Sequence, residues 1–142
     1  MMSNSPATYK RPYYHTLHSR LEEPRRFIQV VAGPRQVGKT TLVQQVTDSM
    51  DTPIIYASAD EPSLRNAEWI AQQWEKARYS IAARGAIIVL DEVQKSVGWF
   101  EAVKRMWDED TYRNRNLKVI ILGSAQLLVQ RGISVNRRDA SR

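Results

Sequence analysis

One segment of the 142-residue chain has the residue types and spacing of a phosphate-binding loop. Residues 33–40 read Gly-Pro-Arg-Gln-Val-Gly-Lys-Thr and fit the pattern G-x-x-x-x-G-K-[ST] between a strand-like apolar run and a helical pattern. Glycine lets successive backbone N–H groups converge on phosphate oxygens, and the following helix directs its positive dipole end at the same anion. We expect Lys39 to contact the β- and γ-phosphates of a nucleotide and the Thr40 hydroxyl to bind Mg²⁺. The predicted nucleotide contacts are Gly33, Pro34, Arg35, Gln36, Val37, Gly38, Lys39, Thr40 and Thr41.

A pair of carboxylates follows a second apolar run. Asp91 and Glu92 come directly after residues 86–90, which are all apolar and leave no room for a surface strand. The first acid of such a pair completes the Mg²⁺ shell, and the second can accept a proton from an attacking water. Asp91 as a metal ligand and Glu92 as a general base therefore predict ATP hydrolysis rather than binding alone.

A third polar group is expected at the end of the strand between the other two. Ser124 follows the apolar run 117–122 and Gly123, where it would orient the water or sense the γ-phosphate, and Gln126 is the second candidate for this role. The predicted catalytic set is Lys39, Glu92 and Ser124. Ser124 would equally cap a helix that begins at Ala125, and the two roles are compatible.

The elements that must position these residues alternate between strands and helices. Short β-rich apolar runs predict strands at 27–32, 54–57, 86–90 and 117–122. Apolar residues spaced by three and four predict helices over 40–50, 64–84 and 99–107. Continuous apolar strands separated by helices are typical of a parallel sheet covered on both faces, so we expect a three-layer α/β fold with a mostly parallel sheet.

Composition excludes several classes of protein. The longest apolar stretch is residues 86–90, far short of the roughly 20 residues that a membrane-spanning helix needs, so no membrane partner is expected. The absence of cysteine excludes disulfide scaffolds and Cys-based zinc sites and suits a cytoplasmic protein.

The net charge of +6 is confined to the two ends of the chain. Residues 1–26 and 131–142 each contribute +3, whereas residues 27–130 contain twelve basic and twelve acidic side chains. The neutral central segment argues against a folded core that binds a phosphate backbone, so a nucleic-acid partner is left open and would rest on the terminal charge alone.

The ordered set of motifs resembles the prokaryotic predicted AAA+ superfamily ATPases, which have an N-terminal ATPase domain and a C-terminal domain of unknown function. The resemblance covers about residues 9–134 and rests on residues 33–41, 90–95, 99–104, 121–124 and 127–134. It implies a P-loop NTPase fold with sheet order 5-1-4-3-2, ATP and Mg²⁺ as cofactors, and an AAA-type oligomer. It also implies that Asp91 and Glu92 are the Walker B pair.

The resemblance ends at residue 134. The family continues with a Glu-Ser-Leu-Ala-Gly-Arg-like segment and a fifth strand, whereas residues 135–142 read Val-Asn-Arg-Arg-Asp-Ala-Ser-Arg. We interpret the chain as an N-terminal arm with a short helix (1–26), an ATPase core (27–134) and a divergent tail (135–142). A frameshift or truncation is the hypothesis for the tail. It predicts a sheet that is incomplete at its C-terminal end, self-association through the exposed edge of the strand at 27–32, and weak or absent hydrolysis.

Three functions are consistent with the sequence. The leading hypothesis is a Mg²⁺-dependent ATP-binding (ATPase) domain of an AAA-type ATPase. The alternative is a nucleotide-dependent interaction or switch module, or a non-catalytic remnant. A DNA-associated helper ATPase is the third and rests on the terminal charge.

Overall fold

Helices and strands alternate along the residues that the computed structural model describes, which are 14–32, 39–59 and 66–123. The helices are α1 (Tyr14–Glu22), α2 (Lys39–Asp48), α3 (Ala67–Tyr79) and α4 (Trp99–Tyr112). The strands are β1 (Gln29–Ala32), β2 (Ile54–Ser58), β3 (Ala86–Asp91) and β4 (Leu117–Gly123). A short 3₁₀ turn, Val93–Lys95, follows β3. Within the described ranges, none of the helices has the length and apolar character needed to cross a membrane.

The described strands form a parallel sheet in the order β1-β4-β3-β2. In this sheet Val31 lies beside Leu122, which in turn lies beside Asp91, and Asp91 lies beside Ser58. The predicted α/β fold with a parallel sheet is thereby confirmed, and the order agrees with the one that the resemblance implies for strands 1 to 4. The predicted incompleteness at the C-terminal end concerns residues 124–142, which lie outside the described part.

Side chains that alternate along the central strands enter two separate hydrophobic clusters. Ile87 and Val89 pack with α1 and α2 on one face of the sheet, whereas Ile88 and Leu90 pack with α3 and α4 on the other. Burial on both faces explains why the central strands are continuously apolar instead of alternating with polar residues. The fold is therefore three-layered, with the sheet between two helical layers.

Helix α3 is shorter than the range 64–84 predicted from its periodicity. It begins after Asn66, whose Oδ1 accepts a hydrogen bond from the backbone N–H of Trp69 (3.1 Å), and it ends at Tyr79. The chain then turns so that Ala82 and Gly85 exchange backbone hydrogen bonds. Gly85 has φ +91°, and a Cβ there would lie 2.7 Å from the Asn116 carbonyl oxygen. The glycine therefore belongs to a tight turn against the loop before β4, some residues beyond the helix end.

The N-terminal helix shares the core of the sheet. Leu17 and Leu21 of α1 are fully buried, and Lys118 of β4 donates a hydrogen bond to the carbonyl of Leu21. Burial lowers the pKa of Lys118, and the nearby carboxylates of α1 and its end partly oppose that shift. Arg25 donates from Nε to the carbonyl of Leu117 (2.8 Å) and stacks 3.5 Å above the ring of Trp107. The segment that connects α1 to β1 is thus fixed to both β4 and α4.

A buried carboxylate joins α3 to α4. Asp110 is fully buried, and its Oδ2 accepts a hydrogen bond from Trp74 Nε1 (2.8 Å). Its Oδ1 accepts from Arg78 Nε (2.8 Å) and from Arg115 Nη1 (3.0 Å). This network secures the helical layer at the end opposite to the carboxyl ends of the strands, because helices that follow parallel strands run back along the sheet.

Candidate functional site

The strands of the predicted site end at the same edge of the sheet. Ala32, the last residue of β1, lies beside Gly123, the last residue of β4, and Asp91 at the end of β3 lies beside Leu122. Adjacent strands are about 4.8 Å apart, so β1 and β3 are about 10 Å apart with β4 between them. Ala32 at the end of β1 and Asp91 at the end of β3 therefore lie at the same edge of the sheet, with β4 between them.

The connections at this edge diverge to opposite faces. After β1 the chain forms α2, which packs with Val43 and Val46 on one face, whereas after β3 it forms α4, which packs with Val103 and Met106 on the other. Divergence of neighbouring connections opens a crevice at the carboxyl ends of a parallel sheet, and ligands of open α/β proteins bind there. We therefore expect the ligand crevice of this sheet between the end of β1 and the end of β3.

Asp91 is the last residue of β3 and is half-buried. Because it alternates with Ile87 and Val89, it lies on the sheet face that α2 covers. The hydroxyl of Tyr56, on β2, donates a hydrogen bond to Asp91 Oδ2 (2.6 Å). The carboxylate is thus oriented from the neighbouring strand.

Glu92 has an unusual backbone conformation and little solvent contact. Its φ of 59° and ψ of 34° lie in the left-handed region, and its exposed fraction is 7%. Its N–H donates to the carbonyl of Leu122 (2.7 Å), and its carbonyl accepts from Lys95 N–H (3.1 Å). The side-chain amide of Gln94 donates from Nε2 to Glu92 Oε1 (2.5 Å). A non-glycine residue held in this region costs about 1–3 kcal/mol, and such strain clusters at active sites and switch regions.

The described part of the chain contains some of the predicted site residues, whose roles stay predictions. Asp91 and Glu92 lie together at the carboxyl edge, and α2 begins at Lys39 on the face that Asp91 shares. The backbones of Lys39 and Thr40 form the first turn of α2, although their side chains lie outside the described atoms, and Thr41 is exposed in the same turn. The loop residues Gly33, Pro34, Arg35, Gln36, Val37 and Gly38, and also Ser124, lie outside the described residues.

Two residues near the acids were missed by the sequence reasoning. Gln94 lies within the motif 90–95, but its type alone does not indicate a contact with Glu92. Tyr56 lies in an apolar strand 35 residues before Asp91, and only the register of β2 against β3 brings the two together. No signal in the sequence alone indicates this contact, because the pairing of Ser58 with Asp91 is itself a property of the strand register.

The donor set at this edge fits Mg²⁺ bound together with a nucleotide. Mg²⁺ prefers oxygen ligands and is commonly held by one or two carboxylates, substrate phosphates and water. Asp91 supplies a carboxylate at the end of β3, and the hydroxyl of Thr40 is the second ligand expected from the sequence. In the described part of the chain, no group of three or more His, Cys, Asp or Glu side chains is arranged to hold a metal, and a nucleotide-bound Mg²⁺ does not require one.

Comparison with known proteins identifies the family. No curated protein matches the chain. A family model described as an AAA domain matches residues 25–140, which is more than half of the chain. The division into an arm (1–26), a core (27–134) and a divergent tail (135–142) stays a prediction, as do the C-terminal domain and the truncation. The predicted AAA-type resemblance is confirmed by this match, and the chain belongs to the AAA domain family, a family of nucleotide-binding modules.

Proposed function

We propose that the chain binds ATP with Mg²⁺ in the crevice between β1 and β3 and hydrolyses it. The observation that carries this proposal is the position of Asp91 and Glu92 at the carboxyl end of β3, one strand away from the strand that precedes the phosphate-binding sequence. Membership of the AAA domain family supports the same conclusion.

Each site residue has a distinct role in this proposal. The backbone of residues 33–38 and the Lys39 ammonium bind the phosphates, and Thr40 and Asp91 hold Mg²⁺. When bound, the metal neutralises charge on the phosphate oxygens. Glu92 accepts a proton from water as the water oxygen bonds to the γ-phosphorus and the bond from that phosphorus to ADP breaks. Ser124 orients the water or senses the γ-phosphate.

Two substitutions test binding and turnover separately. Lys39→Ala should abolish ATP binding, measured by titration calorimetry, because the main cation for the phosphates is lost. Glu92→Gln should keep ATP affinity and lower phosphate release by about 100-fold or more, since the general base is removed.

Matched controls for these variants lie in the last turns of α3, at the opposite edge of the sheet. Lys76 and Glu75 are exposed there, so Lys76→Ala and Glu75→Gln should leave both measurements unchanged. Full ATP affinity in Lys39→Ala would contradict the proposed site, and full phosphate release in Glu92→Gln would contradict the role of Glu92.

A nucleotide-dependent switch is the second candidate function. The observation that favours it is the hydrogen bond between Gln94 and Glu92, because a carboxylate held by an amide has one oxygen engaged before any water binds. Phosphate release measured beside ATP affinity on the same purified chain separates the two functions. Tight binding without release supports the switch, and release at several turnovers per minute supports the ATPase.

Self-association is a further part of the proposal. β1 is an edge of the described sheet, Phe27 before it is 68% exposed, and a groove of about 830 Å³ separates this edge from Phe100 and Trp107 of α4. We expect sedimentation velocity to show concentration-dependent association that Phe27→Ser weakens. Tyr79→Ser, at an exposed residue ending α3, is the control and should behave as the unmodified chain. A monomer at all concentrations would contradict association through this edge.

A further inference from the structure

Gln94 contacts Glu92, and the proposed ATPase roles assign it no function. It lies in the 3₁₀ turn that follows Glu92, and its Nε2 lies 2.5 Å from Glu92 Oε1. A hydrogen bond from an amide to a carboxylate is charge-assisted and is stronger and more directional than one between neutral groups. The contact therefore favours one orientation of the Glu92 carboxylate.

The backbone of Glu92 leaves its side chain little other freedom. Its N–H is bound to Leu122 and its carbonyl to Lys95, and its φ of 59° fixes the direction in which the side chain leaves the chain. What remains variable is rotation within the side chain, and Gln94 contacts the atom at its end. The amide is thus placed to decide where the carboxylate points.

The other end of the Gln94 amide argues against a purely stabilising role. Gln94 Oε1 is buried and has no hydrogen-bond partner among the described residues. A buried polar atom without a partner costs about 1–3 kcal/mol. The cost of the unpartnered Oε1 offsets part of the free energy that the hydrogen bond from Nε2 contributes. Stability of the fold alone therefore does not account for a glutamine at this position.

We propose that Gln94 is a positioning residue that holds the Glu92 carboxylate in the orientation required to accept a proton from water. This inference rests on the proposed ATPase function and deepens it. Gln94 acts through Glu92 and contacts neither the nucleotide nor the metal. A displacement of a catalytic group by about 1 Å lowers rates by about 100-fold, so loss of the amide should lower kcat by about 10- to 100-fold.

The test uses Gln94→Met, which keeps the length of the side chain and removes the amide. Phosphate release should fall by about 10- to 100-fold, while the Kd for ATP, measured with Mg²⁺ and again in EDTA, stays unchanged. Gln72→Met in the exposed part of α3 is the matched control and should leave release and Kd unchanged. In a Glu92→Gln background, Gln94→Met should have no further effect on release, because the carboxylate that it positions is absent.

A second readout reports the contact without turnover. In the proton–nitrogen spectrum of the nucleotide-free chain, the Gln94 side-chain amide, assigned by its loss in Gln94→Met, should have one proton shifted strongly downfield, and Glu92→Gln should remove that shift. Normal phosphate release by Gln94→Met overturns the positioning role and leaves the ATPase proposal standing. Equal loss of release in the presence and absence of Glu92 would also overturn it, since the effect would not pass through Glu92. No release by the unmodified chain overturns the ATPase function itself, and the positioning role with it.

Discussion

Asp110 should be among the most sensitive positions of the described fold. The substitution Asp110→Asn keeps nearly the same side-chain shape but replaces one carboxylate oxygen by an NH₂ group. That group must face either Trp74 Nε1 or the two arginines, all of which are donors bound at 2.8–3.0 Å. Asp110 is fully buried, so water cannot relieve the conflict. Loss of one partner of a buried ion pair costs about 3–5 kcal/mol. For many domains this is a third or more of the whole free energy of unfolding.

The assay is urea unfolding followed by the fluorescence of the four tryptophans. Asp108→Asn is a matched control, because Asp108 lies on the same helix and forms an exposed pair with Lys104 at 2.9 Å. That pair lies four residues apart on a helix, and its loss should cost about 0.5 kcal/mol or less. If Asp110→Asn and Asp108→Asn lower the free energy of unfolding equally, the network does not stabilise the contact between α3 and α4.

Two further predictions concern the proposed metal ligand Asp91 and the half-buried Lys118. Tyr56→Phe removes the hydrogen bond to Asp91, so ATP affinity should fall by about fivefold in Mg²⁺ and stay unchanged in EDTA, as measured by calorimetry; an equal fall in both would assign Tyr56 to nucleotide contact instead. The lowered pKa of Lys118 means that the unfolded chain binds this proton more tightly than the folded chain. The free energy of unfolding should therefore gain a contribution as pH rises through the window just below the usual 10.5. Lys118→Met should remove that contribution, and equal pH dependence in both chains would contradict the effect of burial.

The sequence predicts the layers of the fold better than the ends of its elements. Runs such as 86–90 mark β3 because a strand covered on both faces must be apolar at every position. Periodicity continued the α3 pattern to Ile81 because that residue does pack against the core, although the helix ends at Tyr79. After Tyr79 the chain enters a turn in which Gly85 approaches Asn116, a residue 31 positions later in the sequence. Apolar spacing therefore identifies the buried face and not the point where helical hydrogen bonding stops.

The candidate site also has a part that the sequence predicts and a part that depends on contacts between distant segments. Asp91 and Glu92 are predictable because the chemistry of an acid pair after a buried strand can be inferred from one continuous segment. The Tyr56 contact depends on strand register, and the left-handed conformation of Glu92 depends on hydrogen bonds to β4 and to the 3₁₀ turn. Neither is encoded in a local pattern. The contacts of residues 33–38 and Ser124 stay predictions.

The two acids are adjacent in sequence but are held by different parts of the sheet. Asp91 is oriented from β2 through Tyr56, whereas the backbone of Glu92 is bound to β4 through Leu122 and its carboxylate to Gln94. A change at Gln94 therefore acts on the Glu92 carboxylate, and a change at Tyr56 acts on the Asp91 carboxylate. Metal binding and proton transfer are separable on this arrangement. Tyr56→Phe should alter Mg²⁺-dependent affinity, and Gln94→Met should alter turnover at unchanged affinity. If both variants changed the same quantity, the acids would have to act as one unit, and the separation inferred from their contacts would be wrong.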